Sequence, residues 1–332
     1  MERRKRVLSG HRPTGLLHLG HLVGALSNWI RMQDEFDCFF TIVDWHALTS
    51  DYADPSRIRD YTLSTVADWI AAGLDPVRCT IFVQSDVKEH AEMHLLLSMV
   101  TPLPWLERVP TYKEQRAQLA DRDLNTYGFL GYPVLMAADI VLYKADFVPV
   151  GEDQLPHVEL TREIVRKFNA LYGDVLVEPQ ARLTEAGRLP GTDGRKMSKS
   201  YNTAINLSDP PEVVAEKIRT MMTDPARARR YDPGNPDVCP VFQIHRAFTP
   251  KERLAEIDSG CRTAALGCVD CKKDLSDRLR IRFQPFLEER RELLKRPDTI
   301  RDILDDGAKR ARAVASRTLE AARAAMGLSD AR

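Results

Sequence analysis

The 332-residue chain lacks any apolar run of about 18 residues, the length a membrane-spanning helix requires. The nearest candidate, from Tyr132 to Tyr143, is interrupted by Asp139 and bordered by Pro133 and Lys144. It also lacks net charge: 48 basic and 48 acidic side chains cancel, so no global field announces a polyanionic partner, and any such contact must use a local patch. The basic start Met1-Glu2-Arg3-Arg4-Lys5-Arg6 is followed only by Val7-Leu8-Ser9-Gly10, too short for the apolar region of a signal peptide, and a cytoplasmic protein is expected. Neither G-x-x-x-x-G-K-[ST] nor G-x-G-x-x-G occurs, so two common nucleotide-binding modes on parallel sheets have no marker here. No internal repeat or low-complexity tract is visible. Cysteines are few, six in all, and in a cytosolic chain they are expected as thiols or metal ligands rather than disulfides.

What is present is an alternation of short apolar runs with longer amphipathic ones, the pattern of βαβ units. The expected fold is α/β, a Rossmann-like doubly wound parallel sheet with a C-terminal helical domain. Candidate strands are Val7 to Ser9, Cys38 to Val43, Thr80 to Val83 and Phe147 to Val150, with helices from about Leu19 to Asp34 and Ser56 to Ala72. The second helix stops at Gly73-Leu74-Asp75-Pro76. Beyond Gly173 the chain becomes a loop rich in Gly, Pro and Arg, through Leu189-Pro190-Gly191-Thr192-Asp193-Gly194, and no further strong strand signal follows. The boundaries drawn are 1–200 for the sheet domain, 201–298 for a helical domain and 299–332 for a last helix packing back on the first. That helix carries an apolar stripe from Ile300 and Leu304 to Leu319, Ala322 and Met326, and a second face with Arg310, Arg312, Arg317 and Arg323, read as solvated.

Two motifs carry chemistry. His18-Leu19-Gly20-His21 follows the first strand by a Pro-Thr-Gly turn and opens the first helix, placing two imidazoles and free N–H groups at one spot suited to phosphate. Taken alone, the pair reads equally as metal ligands or, better, as ordinary polar residues at a helix start. Lys196-Met197-Ser198-Lys199-Ser200 lies in the Gly-rich loop, where two ammonium groups could close over a triphosphate and neutralise a leaving pyrophosphate. Together, these motifs resemble the paired signatures of class I aminoacyl-tRNA synthetases.

A third segment, Gly131-Tyr132-Pro133-Val134-Leu135-Met136-Ala137-Ala138-Asp139-Ile140, with Asp146-Phe147-Val148-Pro149-Val150-Gly151-Glu152-Asp153-Gln154 after it, is similar to the bacterial tryptophanyl-tRNA synthetases. If this segment is helical, Met136 and Asp139 share a face, so a thioether can touch a flat ring while a carboxylate meets its edge donor. A buried acceptor left unpaired is costly, which would favour tryptophan over phenylalanine. The competing reading of Asp139 is a surface carboxylate paired with Lys144, which its apolar surroundings oppose.

The resemblance implies further roles. Tyr132 and Gln154 would hold the substrate ammonium, with His46 near the amino acid, and Leu8, Met136, Ile140, Val148 and Val150 would wall the indole pocket. Arg12, Pro13, Thr14, Gly20, His21, Gly151, Glu152, Asp153, Leu183 and Lys196, Met197, Ser198, Lys199 and Ser200 would surround ATP with its Mg2+, Asp153 reaching the ribose. His18, His21, Lys113, Lys196 and Lys199 would act on the phosphates. Arg12 stands where many bacterial members carry glutamine, and Leu8 where some carry phenylalanine. The helical domain would bind the anticodon, and the partners implied are L-tryptophan, tRNA-Trp and a second copy of the chain.

Cys239, Cys261, Cys268 and Cys271 form C-x21-C-x6-C-x2-C, whose final C-x2-C is a chelating turn. The spacing alone favours zinc. Similarity to synthetases that carry a 4Fe-4S cluster in the helical domain moves the preference to that cluster. Cys38 and Cys79 read as ordinary strand cysteines. A tyrosyl-tRNA synthetase, a nucleotidyltransferase acting on a metabolite and a synthetase paralogue with a regulatory role are the alternatives.

Overall fold

The computed structural model describes residues 3–110, 123–183, 189–198 and 203–328. Five parallel strands, β1 (Arg6–His11), β2 (Asp37–Ile42), β3 (Thr80–Val83), β4 (Phe147–Val150) and β5 (Gln180–Leu183), form one sheet in the order β3-β2-β1-β4-β5. The register runs Val7 opposite Cys38 and Phe147, Phe39 opposite Thr80, and Phe147 opposite Gln180. Four strands follow the apolar runs. The fifth escapes the pattern because Gln180-Ala-Arg-Leu lies at an edge with little burial and so needs no apolar run.

Strand alternation sends side chains to two cores, one on each face of the sheet. Val7, Cys38, Phe40 and Ile81 enter one, where Trp29 stacks on Phe40 at 4.8 Å; Leu8, Phe39, Phe82, Val148 and Val150 enter the other. The helix expected from Leu19 to Asp34 is a short turn α1 (Leu19–His21), a π-helical turn (Leu22–Leu26) and α2 (Ser27–Glu35). Its ladder is widened where the Ser27 hydroxyl donates to the Leu22 carbonyl at 2.6 Å, five residues back.

The remaining helices that position the site are α3 (Asp44–Asp51), α4 (Ile58–Ala71), α5 (Glu89–Ser98), α6 (Leu103–Glu107), α7 (Tyr127–Leu142) and α8 (Leu155–Tyr172). After them come α9 (Pro211–Thr220), α10 (Pro240–Phe248), α11 (Lys251–Arg262), α12 (Cys268–Lys295) and α13 (Pro297–Ala325). Residues Ile218, Phe242, Ile257 and Leu275 from these later helices share the core that holds Val7 and Phe40. Arg290 of α12 reaches α4, with Nε 2.5 Å from the fully buried Asp68 carboxylate and Nη2 donating to Ser64. None of the described helices is long and apolar enough to cross a membrane.

Helix α13 covers the outer edge of β3, the kind of exposed ladder that otherwise invites foreign strands. Arg310 donates to the carbonyls of Pro76 (2.7 Å) and Cys79 (3.2 Å), Arg312 to that of Asp86, and Arg323 pairs with Glu92 at 3.1 Å. The arginine face is therefore not simply solvated: three of its four members fasten the helix, because each lies at the border of the apolar stripe. Gly307 makes the approach possible, since a Cβ there would sit 1.7 Å from the Ile81 carbonyl oxygen. Relief would require moving backbone against backbone. Gly307→Ala is expected to cost about 3 kcal/mol or more, at or beyond the upper end of overpacking. Gly128→Ala, where a Cβ meets nothing within 4 Å, should be neutral or slightly stabilising; urea denaturation of the two variants checks the contrast.

Candidate active site

The strand order reverses between β1 and β4, so connections leave the two strands in opposite directions and a crevice opens past their carboxyl ends. A cavity of about 420 Å³ lies there. Leu8, His46, Tyr132, Met136, Asp139, Ile140, Val148, Val150 and Gln154, all nine residues singled out for an aromatic amino acid, line it, together with Arg12 and Gly151. Leu8 comes from β1 and Val148 and Val150 from β4, which makes one wall branched and apolar. Met136 and Asp139 do lie on one face of a helix, α7, and both reach the cavity.

Asp139 is only 3% exposed. Its Oδ2 lies 2.9 Å from His46 Nε2, while Oδ1 accepts from Gln84 Nε2 at 2.7 Å and meets His90 Nδ1 at 2.6 Å. His90 Nε2 is 2.7 Å from the Tyr143 hydroxyl. Burial alone pushes the Asp139 carboxyl up, but the positive field of His90 and the hydrogen bonds from His46 and His90 outweigh it and hold the group down at about 2. The group is thus a carboxylate with satisfied bonds rather than a surface acid paired to Lys144. Gln84, His90 and Tyr143 were not singled out from the sequence. They lie 55, 49 and 4 positions from Asp139, and no local motif marks the two distant ones.

Tyr132 and His157 form the second polar group, Tyr132 Oη lying 3.2 Å from His157 Nε2. His157, at the start of α8, was also not anticipated. Gln154 Nε2 donates to Asp153 at 3.0 Å. Arg12 is held at the end of α3, bonded to Ser50 and 3.6 Å from the Asp51 carboxylate.

The residues assigned to phosphate and ribose follow the carboxyl ends of β1, β4 and β5. Pro13 and Thr14 lie in the turn after β1, Glu152 and Asp153 in a short 3-10 turn after Gly151, and the half-exposed Leu183 closes β5. His18 caps α1, its backbone N–H donating to His21 Nδ1 at 3.1 Å and the two rings 3.7 Å apart. Gly20 leaves room for this, since a Cβ would stand 3.0 Å from the His18 ring. Lys196 is exposed and pairs with Pro190 across a bridge, while the buried Met197 N–H donates to the Leu189 carbonyl. Ser198 follows Met197; Lys113, Lys199 and Ser200 lie outside the described residues.

The four clustered cysteines come together from three helices: Cys239 caps α10, Cys261 lies in α11, and Cys268 and Cys271 open α12. Burial pushes the Cys239, Cys261 and Cys271 thiols up, Cys271 to about 12, and neighbouring cysteines of the set add to the rise. Among the described residues no group of three or more His, Cys, Asp or Glu closes around a point as a single metal ion would need.

The sequence matches the family described as tRNA synthetases class I (W and Y) over residues 1–284. The chain belongs to this family. It is 53% identical to the tryptophan–tRNA ligase of Thermotoga maritima, over 97% of this chain and 99% of that protein, and 44% identical to that of Ralstonia nicotianae, over 98% and 99%. The structure of Campylobacter jejuni tryptophanyl-tRNA synthetase, complexed with ADP and tryptophan, superposes with a TM-score of 0.89 at 34% identity, covering 97% of this chain and all of the other. The class I synthetase sheet, with its crevice at the β1/β4 reversal, is therefore the frame on which these side chains act.

Burial lowers the His157 imidazole from its ordinary 6.5 to about 4, with His46 adding and Asp153 opposing. Between those two values the unfolded chain binds the proton and the folded one does not, so stability falls as pH falls through that window and is unaffected above it. The loss reaches about 3 kcal/mol in total. In His157→Gln the drop in denaturation free energy between about pH 7 and about pH 4.5 should shrink accordingly; an unchanged drop contradicts the neutral, buried imidazole.

Proposed function

We propose that the chain is a tryptophan–tRNA ligase that activates L-tryptophan with ATP and transfers it to tRNA-Trp. The observation that carries the choice of amino acid is the buried Asp139 carboxylate beside Met136 in an apolar, branched-walled cavity. Its Oδ2 has room to accept the indole N–H beside the bond from His46, and phenylalanine has no ring donor to offer there.

In this reading Tyr132 and Gln154 hold the ammonium of tryptophan, and its carboxylate attacks the α-phosphate of ATP in line. Mg-pyrophosphate leaves, and the aminoacyl group passes from AMP to the terminal ribose of the tRNA. The protein supplies position and charge. His18 and His21 meet the phosphates at the start of α1, Lys113, Lys196 and Lys199 take up developing negative charge, and Asp153 reaches the ribose. Arg12, Pro13, Thr14, Gly20, Gly151, Glu152, Leu183, Met197, Ser198 and Ser200 complete the nucleotide site. Residues 201–298 serve the anticodon, 299–332 return to the catalytic part, and the enzyme works in the cytoplasm as a homodimer.

Amino-acid-dependent ATP–pyrophosphate exchange tests the reading. Exchange is expected with tryptophan, and far less with tyrosine or phenylalanine; none with tryptophan sinks it. Asp139→Asn, which keeps the shape but exchanges the acceptor's charge, should lower kcat/KM for tryptophan about 10- to 100-fold.

For the cysteines we infer a 4Fe-4S cluster rather than zinc. Four thiols at this spacing could serve either centre, and the choice rests on the resemblance to synthetases that carry such a cluster in the helical domain. Thiols pushed up chiefly by burial, and further by one another, require a positive centre to be held as thiolates. Arg227, with Nη1 3.9 Å from Cys261 Sγ, and the neighbouring Lys272 would offset the net negative charge that a cluster and its thiolates carry. Protein purified without oxygen should be coloured and contain iron and acid-labile sulfide in equal amounts, both lost in Cys271→Ser. Zinc without sulfide would overturn the inference.

A further inference from the structure

A carboxylate that selects a ring N–H must do two things at once in an apolar cavity. It must stay ionised, because a protonated acid can donate as well as accept, and it must present one oxygen at a fixed angle. The donors around Asp139 divide these tasks unequally. Oδ2 has one bond, from His46, which itself lines the cavity. Oδ1 takes two bonds, from Gln84 and His90, neither of which lines the cavity.

His90 and Tyr143 are fully buried, so solvent can neither replace nor disturb these bonds. A carboxylate only accepts, so His90 Nδ1 must carry its hydrogen whichever way the ring is charged. Its other nitrogen sits 2.7 Å from Tyr143 Oη, which stops the ring from turning over. Phe82 and Tyr143 pack beside the imidazole at ring separations of 6.1 and 5.5 Å. The orientation is thus set by groups on β3, α5 and the end of α7 that do not line the cavity.

Resting on the tryptophan reading, we propose that His90, braced by Tyr143, is a positioning residue for amino-acid selection: it pins Asp139 Oδ1 so that Oδ2 is presented to the indole N–H. Its effect should appear in discrimination rather than in the chemical step.

The test compares kcat/KM in ATP–pyrophosphate exchange for tryptophan and for the analogue in which sulfur replaces the indole N–H. In His90→Phe, tryptophan should lose about 10- to 100-fold, the usual cost of removing an orienting partner, chiefly through KM, while the analogue changes less than about threefold. The discrimination ratio therefore collapses by at least about threefold. His90→Asn, which returns an N–H donor near the position of Nδ1, should recover part of the ratio, and Tyr143→Phe should lower it to a smaller degree. Equal losses for both substrates, with the ratio kept, would mean that His90 is only structural and would overturn the proposal. Should His90→Phe fail to fold, the other two variants decide: a wild-type ratio in Tyr143→Phe and His90→Asn alike overturns it. Wild-type protein that fails to exchange with tryptophan overturns the functional reading itself, whereas a discriminating wild type with indifferent variants overturns this inference alone.

Discussion

A parallel sheet that reverses its order between β1 and β4 cannot cover the carboxyl ends of those two strands, and the function depends on that constraint. Connections from β1 run toward β2 and β3, those from β4 toward β5, and the gap between them exposes backbone and the last side chains of both strands. The nine residues assigned to the amino acid reach this gap from β1 or β4, from the turn just after β4, or from a helix packed over it. Strands β1 to β4 are largely buried on both faces, so they can be short and still rigid. Precision at the crevice follows from that rigidity rather than from the loops.

The gap by itself is only an apolar slot. Leu8, Val148 and Val150 would accept any flat ring of suitable width, and hydrophobic contact discriminates weakly between rings of similar size. Asp139 changes the character of the slot by introducing an acceptor where desolvation is severe. That carboxylate can persist there only because α3, the end of β3 and α5 each send a donor to it. Specificity and local folding are therefore joined: the groups that keep the charge tolerable in the folded protein also aim it.

How much of this was legible in the sequence follows from distance along the chain. Four strands were visible because each is a short apolar run between turn residues. The fifth was hidden because an edge strand such as Gln180–Leu183 need not be apolar. Met136 and Asp139 could be paired three residues apart on a helix, and the resemblance to bacterial tryptophanyl-tRNA synthetases supplied the rest of the cavity lining. Gln84, His90 and His157 carry no such mark. His90 sits in Glu89-His90-Ala91-Glu92, where the sequence alone reads as an ordinary helix start, and only the packing of α5 on α7 turns its ring toward Asp139. The arginines of α13 were misread for a related reason: whether a border arginine is solvated or fastened depends on carbonyls more than 200 residues away.

The two phosphate signatures are also nearer in space than in sequence. The Leu19 N–H donates to the Ile205 carbonyl at 3.0 Å, the Leu207 N–H to the Leu17 carbonyl at 2.9 Å, and His18 bridges to Asn206. The segment just beyond the lysine motif is thus stitched to the histidine turn on both sides of His18. Within the motif itself, Met197 is buried and bonded to Leu189. The start of the motif and the segment beyond it are therefore both anchored, the latter to the backbone that carries His18 and His21. A displacement that drew the lysines toward a triphosphate would have to be absorbed between these anchors or be felt at the start of α1. If the histidines and lysines act on one phosphate chain as proposed, their cooperation would be a property of the backbone connection as much as of their charges.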